Sequence, residues 1–251
     1  MPPPLLSPIV LLLVAPFIGS FLGVLIRRLP EERPVMVARS ACDHCQRTLA
    51  WRDLVPVVSW IIARGRCRYC GRAIGQFYPL VELAAFGIAL MSVLPLPGWI
   101  AWAGAGFGWT LLTLAWIDQE HYLLPDAITL PLIPAGLAVT WLIDPPALLD
   151  HVVGAVAGFG LFMGVAWLYR LLRRREGLGG GDAKLLGALG AWVAWQGLPT
   201  VILYAAASGL ALTLLQAARG QRFELGHRMP FGPHLCLAGW LVWLYGPLVP
   251  L

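Results

Sequence analysis

The chain has 251 residues, of which 59% are hydrophobic and only 12% charged, with a mean hydropathy of +0.73. Soluble domains run about half apolar and a quarter charged, so composition excludes an ordinary soluble globule and points to a membrane protein. The net charge of +5 raises the question of a nucleic-acid partner, and its placement along the chain answers against one.

A span needs roughly 20 mostly apolar residues. Windows of that kind predict an all-α, polytopic helix bundle of about eight spans, at 8–29, 79–96, 98–117, 126–143, 147–170, 183–198, 199–217 and 231–248. The sixth and seventh are short and meet near Pro199. The first reads as a retained anchor, because Met1–Ser7 carries no positive charge while Arg27 and Arg28 follow the apolar run.

The basic residues fall in three stretches. Arg27, Arg28, Arg33, Arg39, Arg47, Arg52, Arg64, Arg66, Arg68 and Arg72 follow the first span. Arg170, Arg173, Arg174, Arg175 and Lys184 separate the fifth from the sixth, and Arg219, Arg222 and Arg228 precede the eighth; these are all 18 Lys and Arg. With eight spans and the N-terminus outside, every one of them is cytoplasmic, whereas the opposite loops near Pro95–Gly98, Asp144–Pro146 and Gly197–Pro199 carry none. The bilayer, not nucleic acid, is the partner this pattern implies.

Residues 30–77 form the one long polar segment. It contains Cys42-x2-Cys45 and Cys67-x2-Cys70, close to the spacing of a structural four-thiolate zinc site with no open position for water. Gly71 suits the tight turn such a knuckle needs. On the reducing side of the membrane disulfides are not expected. His44 is not needed as a ligand, and Cys236, in the last span, reads as a small buried residue.

Most of the 13 acidic residues have ordinary explanations. Glu31, Glu32, Asp43 and Asp53 belong to the solvated loop, Asp144 and Asp150 flank span ends, and Glu224 sits in a polar loop. Glu82 favours a helix N-terminus or faces the bundle interior. Asp118 ends the third span, where it opposes the helix dipole and needs compensation. Asp182 follows Gly179-Gly180-Gly181 and opens the sixth span, where an N-cap is its simplest structural role.

The topology puts Asp118 and Asp182 at one cytoplasmic depth, on different helices. Two carboxylates sharing a site do not both ionise readily, so one keeps a proton while the other accepts one. That pair can activate water against a peptide carbonyl, and its protons belong to the pair, not to either residue. The glycines permit close approach of an extended substrate. Asp126, after Leu124-Pro125, is the competing first acid and otherwise an N-cap; Lys184 is a further accessory candidate. A phosphate-binding loop at Gly177–Asp182 lacks the strand and the Gly-Lys-Ser/Thr it would need. A proton-coupled transporter is the alternative use of two acids, against which stand their position at one face and the lack of an internal repeat. A scaffold docking partners through the cysteine loop would leave both aspartates unexplained.

Gly179-Gly180-Gly181-Asp182 matches the Gly-x-Gly-Asp signature of a class of membrane aspartic proteases. More fully, the chain resembles the bacterial prepilin leader peptidases. The matching pieces run in order: Gly19-Ser20-Phe21-Leu22 with Arg28-Leu29-Pro30, the cysteine pairs, Tyr78-Pro79-Leu80-Val81-Glu82, Asp118, Leu124-Pro125-Asp126, Gly179–Asp182 with Lys184-Leu185-Leu186, and Pro230-Phe231-Gly232-Pro233. Two places depart from it: Gly23, where the family often has Asn, and Asp53-Leu54-Val55-Pro56, where it often has Asp/Glu-Asn-Ile-Pro. The resemblance implies an inner-membrane enzyme that removes the leader from type IV prepilins or type II secretion pseudopilins, with Asp118 and Asp182 catalytic. It also implies N-methylation of the new N-terminus with S-adenosylmethionine, an activity associated with the cysteine loop. The implied division is a first span at 1–29, a cytoplasmic loop at 30–77 and a membrane peptidase domain at 78–251.

Overall fold

The structure is a computed structural model that describes residues 7–35, 40–42, 44–174, 179–219 and 230–248. Arg39, Asp43, Arg175, Gly177, Arg222, Glu224 and Arg228, singled out above, lie outside these described residues. Among the described residues eight α-helices occur in order: α1 Pro8–Arg28, α2 Val58–Ile62, α3 Phe77–Val93, α4 Gly98–His121, α5 Asp126–Ile143, α6 Leu148–Arg173, α7 Gly180–Ala218 and α8 Gly232–Tyr245. No β-strand forms among the described residues, only two isolated bridges. Five helices, at Pro8–Arg28, Gly98–His121, Asp126–Ile143, Pro145–Arg173 and Gly180–Ala218, are long and apolar enough to cross a membrane, and Phe77–Val93 is a shorter apolar helix. Large apolar side chains such as Val156, Trp167, Leu171, Leu203 and Leu210 are exposed, as expected where lipid rather than water is the solvent.

The chain divides into two compact units, Met1–Trp109 and Thr110–Leu251. In the first, α1 buries Leu11, Ala15, Gly19, Leu22 and Ile26 along one stripe, the three-to-four-residue spacing of a helix face. α3 answers with Val81, Glu82, Ala85 and Ala89. Gly19 is the contact point: a Cβ there would stand 2.6 Å from the Glu82 Cα and 2.9 Å from the Ala85 Cβ. Small residues at such crossings let backbones approach where no hydrophobic effect drives association. The Trp109 indole N–H donates to the Ala85 carbonyl at 2.9 Å.

In the second unit α6 and α7 cross through Gly154, Gly158, Gly187 and Gly190. A Cβ on Gly190 would fall on the Gly154 carbonyl, and one on Gly158 would be 2.6 Å from the Leu186 oxygen. The Trp192 indole holds the Leu132 carbonyl of α5 at 2.9 Å.

α7 is not straight. Ala194 has φ 57 and ψ 178, and the partners on either side show that the helix doubles back there. Before the break, Leu189 meets Gly239 and Trp192 stacks edge-on against Trp243, so the first arm runs parallel to α8. After it, the Leu248 N–H donates to Thr200 Oγ1 at 3.3 Å and Ser208 bonds His234 at 2.9 Å, so the second arm runs antiparallel to α8. The expected sixth and seventh spans are therefore arms of one element. Their junction is Ala194, not the expected Pro199. Proline supplies no N–H to the carbonyl four residues back and its ring crowds that group, which displaces the break toward Trp195. Asp150 secures the corner by accepting from the Trp195 indole at 3.1 Å and the Gln196 amide at 3.2 Å.

Candidate active site and metal centre

Asp118 sits in the last turn of α4 with only 6% of its surface exposed. Its unfavourable place at a helix C-terminus is compensated by another helix. The Gly232 N–H, at the first position of α8, donates to Asp118 Oδ2 at 3.1 Å. A helix N-terminus carries partial positive charge and unpaired N–H groups, so the start of α8 meets the need created by the end of α4. Only glycine fits: a Cβ at position 232 would be 2.6 Å from Asp118 Oδ2 and 3.0 Å from its Cγ. Pro233, next in the helix, has no N–H to compete for the carboxylate.

Asp182 is not the N-cap of α7. That position belongs to Gly179, with φ −69 and ψ 140, and Asp182 stands three residues on. Its carboxylate accepts from the Gly179 backbone N–H, half of a capping box, while its own N–H bonds the Gly179 carbonyl at 3.2 Å. Asp182 lies near enough to Asp118 for the charge of one to act on the other. Buried Cys236, one turn beyond Gly232, interacts with both. Sequence reasoning isolated Cys236 and gave Gly232 no role. The signal for Gly232 was present in the Phe-Gly-Pro run, but its target, 114 positions away, was not.

The three glycines differ in their surroundings. Gly181 is packed, because a Cβ would lie 3.2 Å from the Leu124 Cβ; around Gly180 a Cβ would meet nothing within 4 Å. Gly181 therefore lets α7 begin against the turn before α5, and Gly180 leaves the backbone open. Asp126 is the first residue of α5, with Pro125 and not Asp126 as its N-cap. Both its carboxylate oxygens accept from Lys184 Nζ, at 2.8 and 2.7 Å. The two accessory candidates thus pair with each other, partly exposed, and tie the start of α5 to the first turn of α7.

In the first unit the four cysteines converge: the sulfurs of Cys42, Cys45, Cys67 and Cys70 all lie within 4.8 Å of one another. The two knuckles are built alike. Cys42 N–H bonds Arg47 O at 3.0 Å and Gln46 N–H bonds Cys42 O at 2.8 Å; Cys67 N–H bonds Arg72 O and Gly71 N–H bonds Cys67 O, both at 2.8 Å. Gln46 (φ 54) and Gly71 (φ 70) take the left-handed turn residue of each. Backbone N–H groups of Cys70 and then Tyr69 aimed at its sulfur lower the Cys67 thiol to about 7, while Cys70, beside the other three thiols, is pushed up to about 11. A tetrahedral Zn–S₄ site with bonds of about 2.3 Å spaces its sulfurs by about 3.8 Å, and Cys42 and Cys70 Sγ are 3.9 Å apart. The donor set fits a metal ion.

Asp53 is no mere solvated loop residue. With its side chain 12% exposed, it accepts from Arg68 Nε at 2.9 Å, the Tyr69 hydroxyl at 3.4 Å and the Ala50 N–H at 3.3 Å, joining the two knuckles. Glu82 faces the interior, the second of its two expected placements: it is 5% exposed and accepts from the Val57 N–H at 2.7 Å. The departure at Gly23 has a local reason, since a Cβ there would be 2.8 Å from the Tyr78 ring.

Two family models match the chain: the Bacterial Peptidase A24 N-terminal domain over residues 13–96 and the Type IV leader peptidase family over residues 105–214. Among curated relatives, the prepilin leader peptidase/N-methyltransferase of Aeromonas hydrophila is 39% identical, over 91% of this chain and 87% of its own length. The proteins of that name from Burkholderia pseudomallei strain 1026b and Pseudomonas aeruginosa are 41% and 37% identical, covering 91% and 94% of this chain and 82% and 89% of theirs. No solved structure matches the chain. Apolar helices, a buried aspartate near a second, a four-cysteine cluster and these relatives agree: the chain belongs to the bacterial type IV prepilin leader peptidase family.

Proposed function

We propose that this protein removes the leader from type IV prepilins or pseudopilins with Asp118 and Asp182 as its catalytic pair. The observation that carries the reading is the buried Asp118 carboxyl, held by the Gly232 N–H and near enough to Asp182 for their charges to interact. One carboxylate takes a proton from water as that water adds to the scissile carbonyl; the other, protonated, donates to the developing oxyanion. The open backbone at Gly180 leaves room for an extended substrate strand beside Asp182. A client whose apolar helix lies in the bilayer would present its leader at this end of the bundle. The orientation that suits it has the N-terminus outside and the cysteine loop and both aspartates at the cytoplasmic face of the inner membrane, as the distribution of Arg and Lys favours.

Cys42, Cys45, Cys67 and Cys70 hold a structural zinc ion in this reading, which would cross-link a loop too small for a core of its own. The chain also methylates the exposed N-terminal amine with S-adenosylmethionine as donor, a reading supported by the names of its relatives. Nothing in the family favours the transporter alternative.

The test is leader removal from a prepilin in membranes carrying wild type, Asp118→Asn or Asp182→Asn. Wild type is expected to cleave and each variant to be inert at equal abundance, with product mass spectrometry reading the methyl group. Near-normal cleavage by either variant would remove that residue from the pair.

A further inference from the structure

The loop between α1 and α3 carries a set of large apolar side chains that the proposed chemistry does not use. Trp51 is 83% exposed, Ile62 68% and Ile61 60%, with Val58 and Leu54 also exposed. All fall within twelve residues, and Val58, Ile61 and Ile62 lie in the short helix α2. They are not part of a membrane span, and a loop surrounded by water would not keep such residues outermost.

Where this segment stands is set by one buried bond. The Val57 N–H donates to Glu82 Oε2 at 2.7 Å. Val57 itself has φ 58, a conformation a β-branched residue adopts only under constraint. Glu82 lies five residues into α3 from Phe77, about 7–8 Å along its axis at 1.5 Å per residue. The Arg27 guanidinium, in the last turn of α1, lies 4.0 Å over the Phe77 ring, so the charged end of α1 and the start of α3 share one level. Helix side chains lean toward the N-terminus, so the Glu82 carboxylate holds the start of α2 beside the first turns of α3, next to that level. Interfacial helices bury their apolar face to a depth of roughly 5–10 Å, within reach of a segment held there. Arg52, Arg64 and Arg66, all exposed, flank the apolar residues in sequence and suit anionic headgroups.

We infer that Trp51 to Ile62 forms a monotopic membrane-contact surface, in which Val58, Ile61 and Ile62 enter the headgroup–acyl boundary of an anionic lipid leaflet beside α3. The metal cluster is then held against the bilayer at two places, by the Glu82–Val57 bond and by this face. The inference goes beyond the proposed peptidase reaction and does not depend on it.

The experiment places the photo-crosslinking residue p-benzoylphenylalanine at Ile62, and separately at Thr48, which is exposed on the first cysteine knuckle. The full chain is reconstituted in nanodiscs of mixed phosphatidylcholine and phosphatidylglycerol, illuminated and weighed intact. Both substitutions fall on exposed side chains, and a wild-type circular dichroism spectrum with monodisperse elution in each preparation identifies folded protein. A phospholipid adduct at Ile62 and none at Thr48 is the expected result. A cross-link from Ile62 to residues 110–251 of the same chain, or to a second copy, would overturn the inference by showing that protein covers the face. So would equal lipid labelling at both positions, or none at either.

Discussion

Gly232→Ala is the sharpest test of how Asp118 is positioned. The added Cβ would stand 2.6 Å from Asp118 Oδ2 and 3.0 Å from Cγ, against an ordinary contact of about 3.4–4 Å, so the carboxylate must shift by the order of 1 Å. The shift also breaks the bond from the Gly232 N–H. A hydrogen bond to a charged group contributes about 1.5–3 kcal/mol, and about 1.4 kcal/mol is tenfold in rate. The expected loss in kcat for leader removal is therefore about 10- to 100-fold, with KM within about threefold because Gly232 touches the aspartate and not the bound leader. The assay is steady-state cleavage of a prepilin in nanodiscs. Gly164→Ala on α6 is the control: its Cβ would meet nothing within 4 Å, and cleavage should stay near wild type. If Gly232→Ala kept wild-type kcat, or both alanines fell alike, the positioning argument would be refuted.

Two further outcomes follow from the same geometry. Asp126→Asn breaks a partly exposed ion pair with Lys184, worth at most about 1 kcal/mol, so cleavage should fall no more than about fivefold; inactivity equal to that of Asp118→Asn would make Asp126 the catalytic acid. Metal analysis of the purified chain should find one zinc per molecule, and Cys67→Ser should lose it while the protein still accumulates in the membrane; a wild type free of metal would exclude the zinc centre.

The helices were legible in the sequence because the bilayer imposes a length and a composition on every span. The cysteine cluster was legible too, since two Cys-x2-Cys pairs hold their own knuckles through local hydrogen bonds. Even Asp118 could be singled out from its place at the wrong end of a helix dipole. What compensates it could not: the Gly232 N–H is remote in sequence, and only the packing of α8 brings it there. The same holds for the pairing of Asp126 with Lys184, which no spacing rule connects. Asp53 and Glu82 looked like unremarkable loop and helix-end acids because a carboxylate shows its burial only when partners such as Arg68 and Val57 are in place. The reversal at Ala194 was misplaced for a related reason. A proline marks that a helix is weakened, but where the chain turns depends on what holds the corner, here Asp150 and the glycine crossing of α6 with α7. Sequence alone determined which segments are long and apolar, though five helices rather than the expected eight are long enough to cross a membrane, and which groups could do chemistry. Tertiary structure decided which of those groups meet, because helix ends, glycine contacts and buried carboxylates select their partners through space.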